Sequence, residues 1–171
     1  MQSLITGTVA AAAATALFAG GAAQAAPGGV LGPTGYKGLH LGQPEAEAEA
    51  TGLVVNKESY QGCDYYDMHP DEGKQNPGNG VFISPDDGVQ VIGGTTLSHT
   101  PEGLTFGKTR ADVEQAYGEL TPVPPFDWVV TTDVPNEDSG AKYRFAFDEN
   151  NAISDFGLET ADPASCVDPN R

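Results

Sequence analysis

A glycine-flanked phrase occurs twice in this 171-residue chain, and a chain that repeats itself at a fixed distance is constrained to fold into related units. Gly38-Leu39-His40-Leu41-Gly42 leads into Pro44 to Gly52, and Gly103-Leu104-Thr105-Phe106-Gly107, 65 residues further on, leads into Thr109 to Gly118. Aligned from Gly38 and Gly103, five of the first twelve positions are identical: Gly38/Gly103, Leu39/Leu104, Gly42/Gly107, Ala46/Ala111 and Glu49/Glu114. Average composition gives about one identity over such a length. A spacing of 65 exceeds the period of solenoid repeats, so it predicts a duplicated small module.

After each phrase the pattern predicts a short helix. In the first copy, Gln43 to Thr51, Pro44 suits a helix start, Glu45 and Glu47 lie near the positive end of the dipole, and Gly52 stops the turn. Its apolar stripe is thin, and Glu45 and Glu49 repel at i,i+4, so this helix depends on tertiary packing. In the second copy Thr109 and Asp112 form a capping-box pattern, Val113, Ala116, Tyr117 and Leu120 fall at helical spacing, and Gly118 is the stop.

Elsewhere the period is two. Strands are predicted at Tyr60 to Asp67, Val81 to Ser84, Val89 to Gly93, Asp127 to Thr132, Lys142 to Asp148 and Ala152 to Leu158, with tight turns at Pro85-Asp86-Asp87-Gly88 and Asp148-Glu149-Asn150-Asn151. Tyr143, Phe145 and Phe147 alternate with Arg144 and Ala146, as on a sheet with one buried face. The expected class is therefore α+β: a tandem repeat of one short helix followed by a three-stranded antiparallel sheet, helices packed on one sheet face. The expected divisions are a leader over 1–25, a disordered Pro/Gly spacer over 26–34, repeat 1 over 35–98 and repeat 2 over 99–171, the repeats forming one body.

The leader rests on the apolar, small-residue run from Leu4 to Ala26, closing on Ala23-Gln24-Ala25. It predicts a cleaved secretory signal peptide and an extracellular address, with no stable membrane span after cleavage. The run opens without a positive charge, and a weak anchor is the alternative. The part after Ala25 holds all 24 acidic and 8 basic residues and carries the whole net charge of −16. Such a surface repels nucleic acid and anionic membranes, favours cationic partners and a monomer, and suits an extracellular habitat. The two cysteines, Cys63 and Cys166, predict one disulfide in an oxidising compartment, with free thiols or a metal site as the competing readings.

No nucleophile elbow, phosphate-binding loop, dinucleotide fingerprint or other cofactor signature is present, and His40, His69 and His99 match no metal-ligand spacing. The segment Asp64-Tyr65-Tyr66-Asp67-Met68-His69-Pro70-Asp71-Glu72 crowds carboxylates, aromatics and a histidine. It reads first as a strand running into a solvated acidic loop, Met68 to Gly80. Its functional reading is binding: Tyr65, Tyr66, Asp71 and Glu72 suit a basic groove on another protein. Trp128 alternates with Val130 and Thr132, which favours the core; exposed, it would form a patch demanding a function, and it stands with Tyr65, Tyr66, Asp71 and Glu72 as a candidate binding residue.

The Gly-Leu-x-[Leu/Phe]-Gly phrase with its following Ala and Glu, and the closing Tyr143-Arg144-Phe145-Ala146-Phe147-Asp148-Glu149-Asn150-Asn151-Ala152-Ile153-Ser154-Asp155, resemble two groups. One is the secreted β-lactamase inhibitor proteins of actinomycetes; the other is the small outer-membrane assembly lipoproteins of the SmpA/OmlA type. The resemblance to the inhibitors implies aromatics on a concave sheet and an acidic loop entering an enzyme, with Asp71 or Glu72 as its tip. The expected function is a secreted, non-enzymatic binding protein acting on an extracellular protein or cell-wall component. The alternatives are a cell-wall hydrolase using Asp64, Asp67 and His69, and a structural envelope protein.

Overall fold

The computed structural model describes residues 28–136, 138, 140–163 and 166; the leader therefore lies outside the described residues. In chain order the elements are β1 (Gly29–Val30), β2 (Gly35–Tyr36), β3 (Leu39–His40), α1 (Glu45–Ala50), β4 (Val54–Tyr60), β5 (Cys63–Met68), β6 (Val81–Ser84) and β7 (Gly88–Gly93). There follow β8 (Ser98–His99), α2 (Arg110–Tyr117), β9 (Thr121–Val123), β10 (Phe126–Asp133), β11 (Lys142–Phe147) and β12 (Ile153–Glu159).

Eight of these strands form one continuous antiparallel sheet in the order β4-β5-β6-β7-β12-β11-β10-β9. This overturns the expected helix-plus-three-strand repeats with helices packed on a sheet. The molecule is mostly β, four strands of this sheet follow each helix, and the eight are hydrogen-bonded neighbour to neighbour throughout. Two strands of this sheet, β4 and β9, escaped the periodicity for physical reasons. The run read as one strand from Tyr60 to Asp67 contains a two-residue turn at Gln61-Gly62 (φ 50° and 90°), whose left-handed pair reverses the chain between β4 and β5. At the far edge β9 includes Pro122, which an edge strand tolerates because one side of it needs no donor.

Alternation puts Tyr143, Phe145 and Phe147 of β11 and Phe156 and Leu158 of β12 on one face, together with Val81, Ile83, Val89 and Ile92. The rings of Phe145 and Phe156 stack with centroids 6.4 Å apart, and Phe106 meets Phe156 edge-on at 5.2 Å. The helices do little of the covering, since the only buried side chains they supply are Ala48 and Val113. Loops and short N-terminal strands complete the layer through Leu31, Tyr36, Leu39 and Leu104. The stretch expected to be a disordered spacer is built in from Gly28 onward: β1 pairs in parallel with β8, and Leu31 is buried.

The duplicated phrases do similar local work. Leu39 and Leu104 enter the same core, Gly42 and Gly107 have φ of 74° and 80°, and their N–H groups donate to the carbonyls of Val89 and Ile153. Thr109 caps α2 with the full capping box, its hydroxyl accepting from the N–H of Asp112 while the Asp112 carboxylate accepts from the Thr109 N–H.

The opposite, outer face is different in kind. In register across it stand Gly93, Gly157, Arg144 and Thr131. Beside them Cys63, Phe82, Val91 and Cys166 form a small apolar cluster, with Tyr60 and Tyr65 packed on it. The expected disulfide is present: Cys63 and Cys166 are bonded, with Cα atoms 5.4 Å apart across a separation of 103 residues. It fastens the tail that leaves β12, which Thr160 also ties to Gln90 through two hydrogen bonds.

Candidate functional site

Trp128 is 46% exposed, which corrects the expected core position. Val130 and Thr132 do face inward, paired with Phe145 and Tyr143. Strict alternation would carry Trp128 the same way, but the pairing of β10 with β9 slips between Phe126 and Val130. A bulge adds a residue and re-aims the side chains beyond it. Phe126 supports the indole at 5.2 Å between ring centroids.

Trp128 forms one wall of an open depression of about 390 Å³ on the outer face. Val129 and Ala146 with Arg144 and Asp155 line its sheet side, and the segment 76–79 lines the rest. That segment is pinned: the Asn76 amide donates to the Ser154 carbonyl, and the Asn79 amide donates to Asp155 and, at 3.2 Å, to the Phe156 carbonyl. The backbone of Asn79 lies where a Cβ on Gly93 would stand, with its carbonyl oxygen 2.4 Å from that position, so glycine there admits the loop. The Asn79 Oδ1 atom is buried and has no hydrogen-bond partner among the described residues.

One guanidinium faces two carboxylates. Arg144 donates to Asp155 at 3.4 Å and lies 3.7 Å from Glu159. Burial raises the Glu159 carboxyl above its usual value of 4.5, and Arg144 and Lys142 offset this only in part. A carboxyl raised on folding binds more protons folded than unfolded. Stability is therefore fullest at or below the ordinary carboxylate value and falls as pH climbs through the folded one. Glu159→Gln accordingly raises Tm at neutral pH, by roughly 2–4 °C for each kcal/mol recovered, and the gain vanishes below about pH 4.5. Calorimetric scans at pH 4 and pH 7 measure the difference; an equal effect at both would show that desolvation of the charge is not the cause.

The other expected contact residues are dispersed. Tyr66 is buried on the core side, with its hydroxyl 2.7 Å from Glu45 and 2.6 Å from Glu49, and burial followed by these carboxylates pushes its ionisation up. Tyr65 lies on the outer face, its ring edge-on to Phe82 at 5.1 Å and its hydroxyl donating to Asp67 at 3.0 Å. Asp71 is exposed in the loop, paired with His69 at 3.5 Å. Glu72 is not a loop tip, because it is buried, accepts from the Tyr36 hydroxyl at 2.7 Å and is paired with Lys37. Burial alone would raise the Glu72 carboxyl; the Lys37 and Tyr36 bonds together bring it below its usual value. Glu72 thus fastens the N-terminal strands to the loop.

The trio Asp64, Asp67 and His69 is not assembled. Asp64 and Asp67 are three apart on β5, so their side chains leave opposite faces. Asp64 pairs with Lys57 at 3.0 Å, Asp67 accepts from Asn56 at 3.0 Å, and His69 turns to Asp71. Among the described residues no group of three His, Cys, Asp or Glu side chains is placed to hold a metal, and no helix is long and apolar enough to cross a membrane. The residues that do converge, Asn76, Asn79, Arg144 and Asp155, escaped the sequence reading. Arg144 was legible as outward-facing, but nothing in the sequence placed the 76–79 loop above it.

The fold and site define a mostly β protein with one covered sheet face and one partly open face bearing an aromatic-walled depression. No family model matches the chain, and no curated protein matches it. It is similar to the crystal structure of the uncharacterized protein yfeY from Escherichia coli, with a TM-score of 0.50 and 12% identity over 76% of this chain and 99% of that one. At that identity the likeness shows the fold alone.

Proposed function

We propose that the protein is an exported, non-enzymatic binding protein whose contact surface is the outer sheet face around Trp128. The observation that carries this is the exposure of Trp128 beside a depression. A large aromatic held out of an available core, with polar groups converging next to it, is the composition of a recognition site. Export is supported by the Cys63–Cys166 bond, since such bonds persist in oxidising compartments. The partner proposed is an extracellular protein or a cell-wall component, and the strong negative charge disfavours nucleic acid.

The test compares retention of the native protein on fractions of cell wall and secreted protein with that of two variants. Trp128→Ala loses at least tenfold of the retained protein, whereas Asp71→Ala, outside the depression, keeps it. Equal retention of native and Trp128→Ala protein on every fraction would remove the outer face from consideration. A narrower reading, inhibition of an extracellular enzyme as the sequence resemblance implies, is favoured by Asp71, whose side chain is 88% exposed. Enzyme inhibition abolished by Asp71→Ala but not by Trp128→Ala would single it out.

A further inference from the structure

We infer that the depression beside Trp128 is a subsite for one or two uncharged pyranose rings of an oligosaccharide, an assignment that rests on the binding reading above. Its volume of about 390 Å³ falls at the small end of the range of roughly 300–1,000 Å³ for small-molecule sites. It is open rather than enclosed, so a ring can occupy it while its neighbours continue into solvent. A pyranose presents an apolar face of polarised C–H groups and a rim of hydroxyls. The exposed indole of Trp128 offers the negative π-face that attracts such C–H groups.

The hydroxyl rim needs donors and acceptors side by side, and Arg144 and Asp155, 3.4 Å apart, supply one of each at neighbouring positions. Asn79 lines the same depression, and its amide, donating to Asp155 and to the Phe156 carbonyl, holds the loop and the Asp155 carboxylate in place. Val129 and Ala146 are too short to form a deep apolar slot, so an apolar ligand gains little there.

Charge selects among sugars. Among the described residues lining the depression Arg144 is the one cation, and it is matched by Asp155 and Glu159, which leaves none for a phosphate, sulfate or uronate; the net charge of −16 repels all three. A protein partner is the less favoured occupant. Stable protein interfaces bury about 1,200–2,000 Å², and the outer face beyond the glycine row is occupied by the Cys63–Cys166 cluster and its tail.

Trp128 is the sole tryptophan, so intrinsic fluorescence reads this site alone. The native protein is titrated with neutral oligosaccharides derived from glucan, mannan, galactan and chitin, then with oligouronates and a basic peptide. The expected result is a saturable fluorescence change with at least one neutral sugar, unaltered in high salt. Calorimetry with that sugar should show binding abolished by Trp128→Ala and weakened about tenfold by Trp128→Phe, which retains a ring. Folding of both variants is checked by circular dichroism. No saturable change with any neutral sugar overturns the assignment, and so does saturation by oligouronates or the peptide alone. Where neutral sugars fail but Trp128-dependent retention on fractions persists, the sugar falls and the binding reading stands; where both fail, both fall.

Discussion

Replacing Cys63 and Cys166 by serine, or reducing their bond, lowers Tm by roughly 8–16 °C, the equivalent of a loss of about 4 kcal/mol at 2–4 °C per kcal/mol for a chain of this size. The bond closes a loop with a sequence separation of 103 residues. On the chain-entropy account, releasing a loop that long frees the unfolded ensemble by about 4.7 kcal/mol, and typical measured values are 2–4 kcal/mol. Set against a total of about 5–15 kcal/mol for a folded domain, the loss is large. A second consequence is local. Cys63, Cys166, Phe82 and Val91 make up the buried part of the outer-face cluster, and Tyr60 and Tyr65 lean on it. Unfastening the tail exposes those rings, so the reduced protein binds a hydrophobic dye while its sheet is still folded. The measurement is a pair of thermal scans with and without reductant, alongside dye binding below the transition. A Tm shift of less than about 2 °C would mean that the tail alone feels the bond.

How much of this was legible follows from where side-chain pattern and backbone geometry agree. On β11 they agree fully, because both flanking strands are present and every inward position is aromatic: Tyr143, Phe145 and Phe147 read as one face and form one. The capping box at Thr109 is similarly local, fixed by residues three apart. The β4 strand was invisible because an edge strand carrying Asn56, Lys57, Glu58 and Ser59 has no apolar alternation to detect, and its pairing with β5 shifts between Val55 and Glu58. Continuity of the sheet was beyond reach for a different reason. The pairing of β7 with β12 joins Gly93 to Gly157 and Val91 to Glu159, contacts between residues more than sixty positions apart with nothing in either segment to announce the other.

The site shows the same limit. Trp128 was identified as a residue whose exposure would matter, but its direction is set by a slip in pairing with β9, a strand containing proline. Glu72 reads as an acidic loop residue from its neighbours and is instead buried beneath Tyr36 and Lys37, more than thirty positions away. Patterning reports which residues share a face; it does not report which distant segment arrives above that face.

The β7–β12 junction is also where a small change has a large expected effect. Phe156→Ala costs roughly 3–5 kcal/mol, as for other buried phenylalanines, because its ring is fully buried between Phe145 and Phe106. Gly94 sits against that ring. A Cβ at Gly94 would come within 2.5 Å of a ring carbon, and Gly94 does not have a positive φ, so the ring is what forbids a side chain there. Gly94→Ala alone therefore destabilises by about 1–3 kcal/mol through overpacking. In the double variant the alanine methyl group enters space that the ring has left. The combined loss should fall short of the sum of the single losses by roughly 0.5–3 kcal/mol, the coupling expected of residues in contact. Urea unfolding of the native protein, both single variants and the double variant measures the cycle. Additive losses would show that Gly94 is glycine for some reason other than the Phe156 ring, and that the two four-strand sections are joined without this contact.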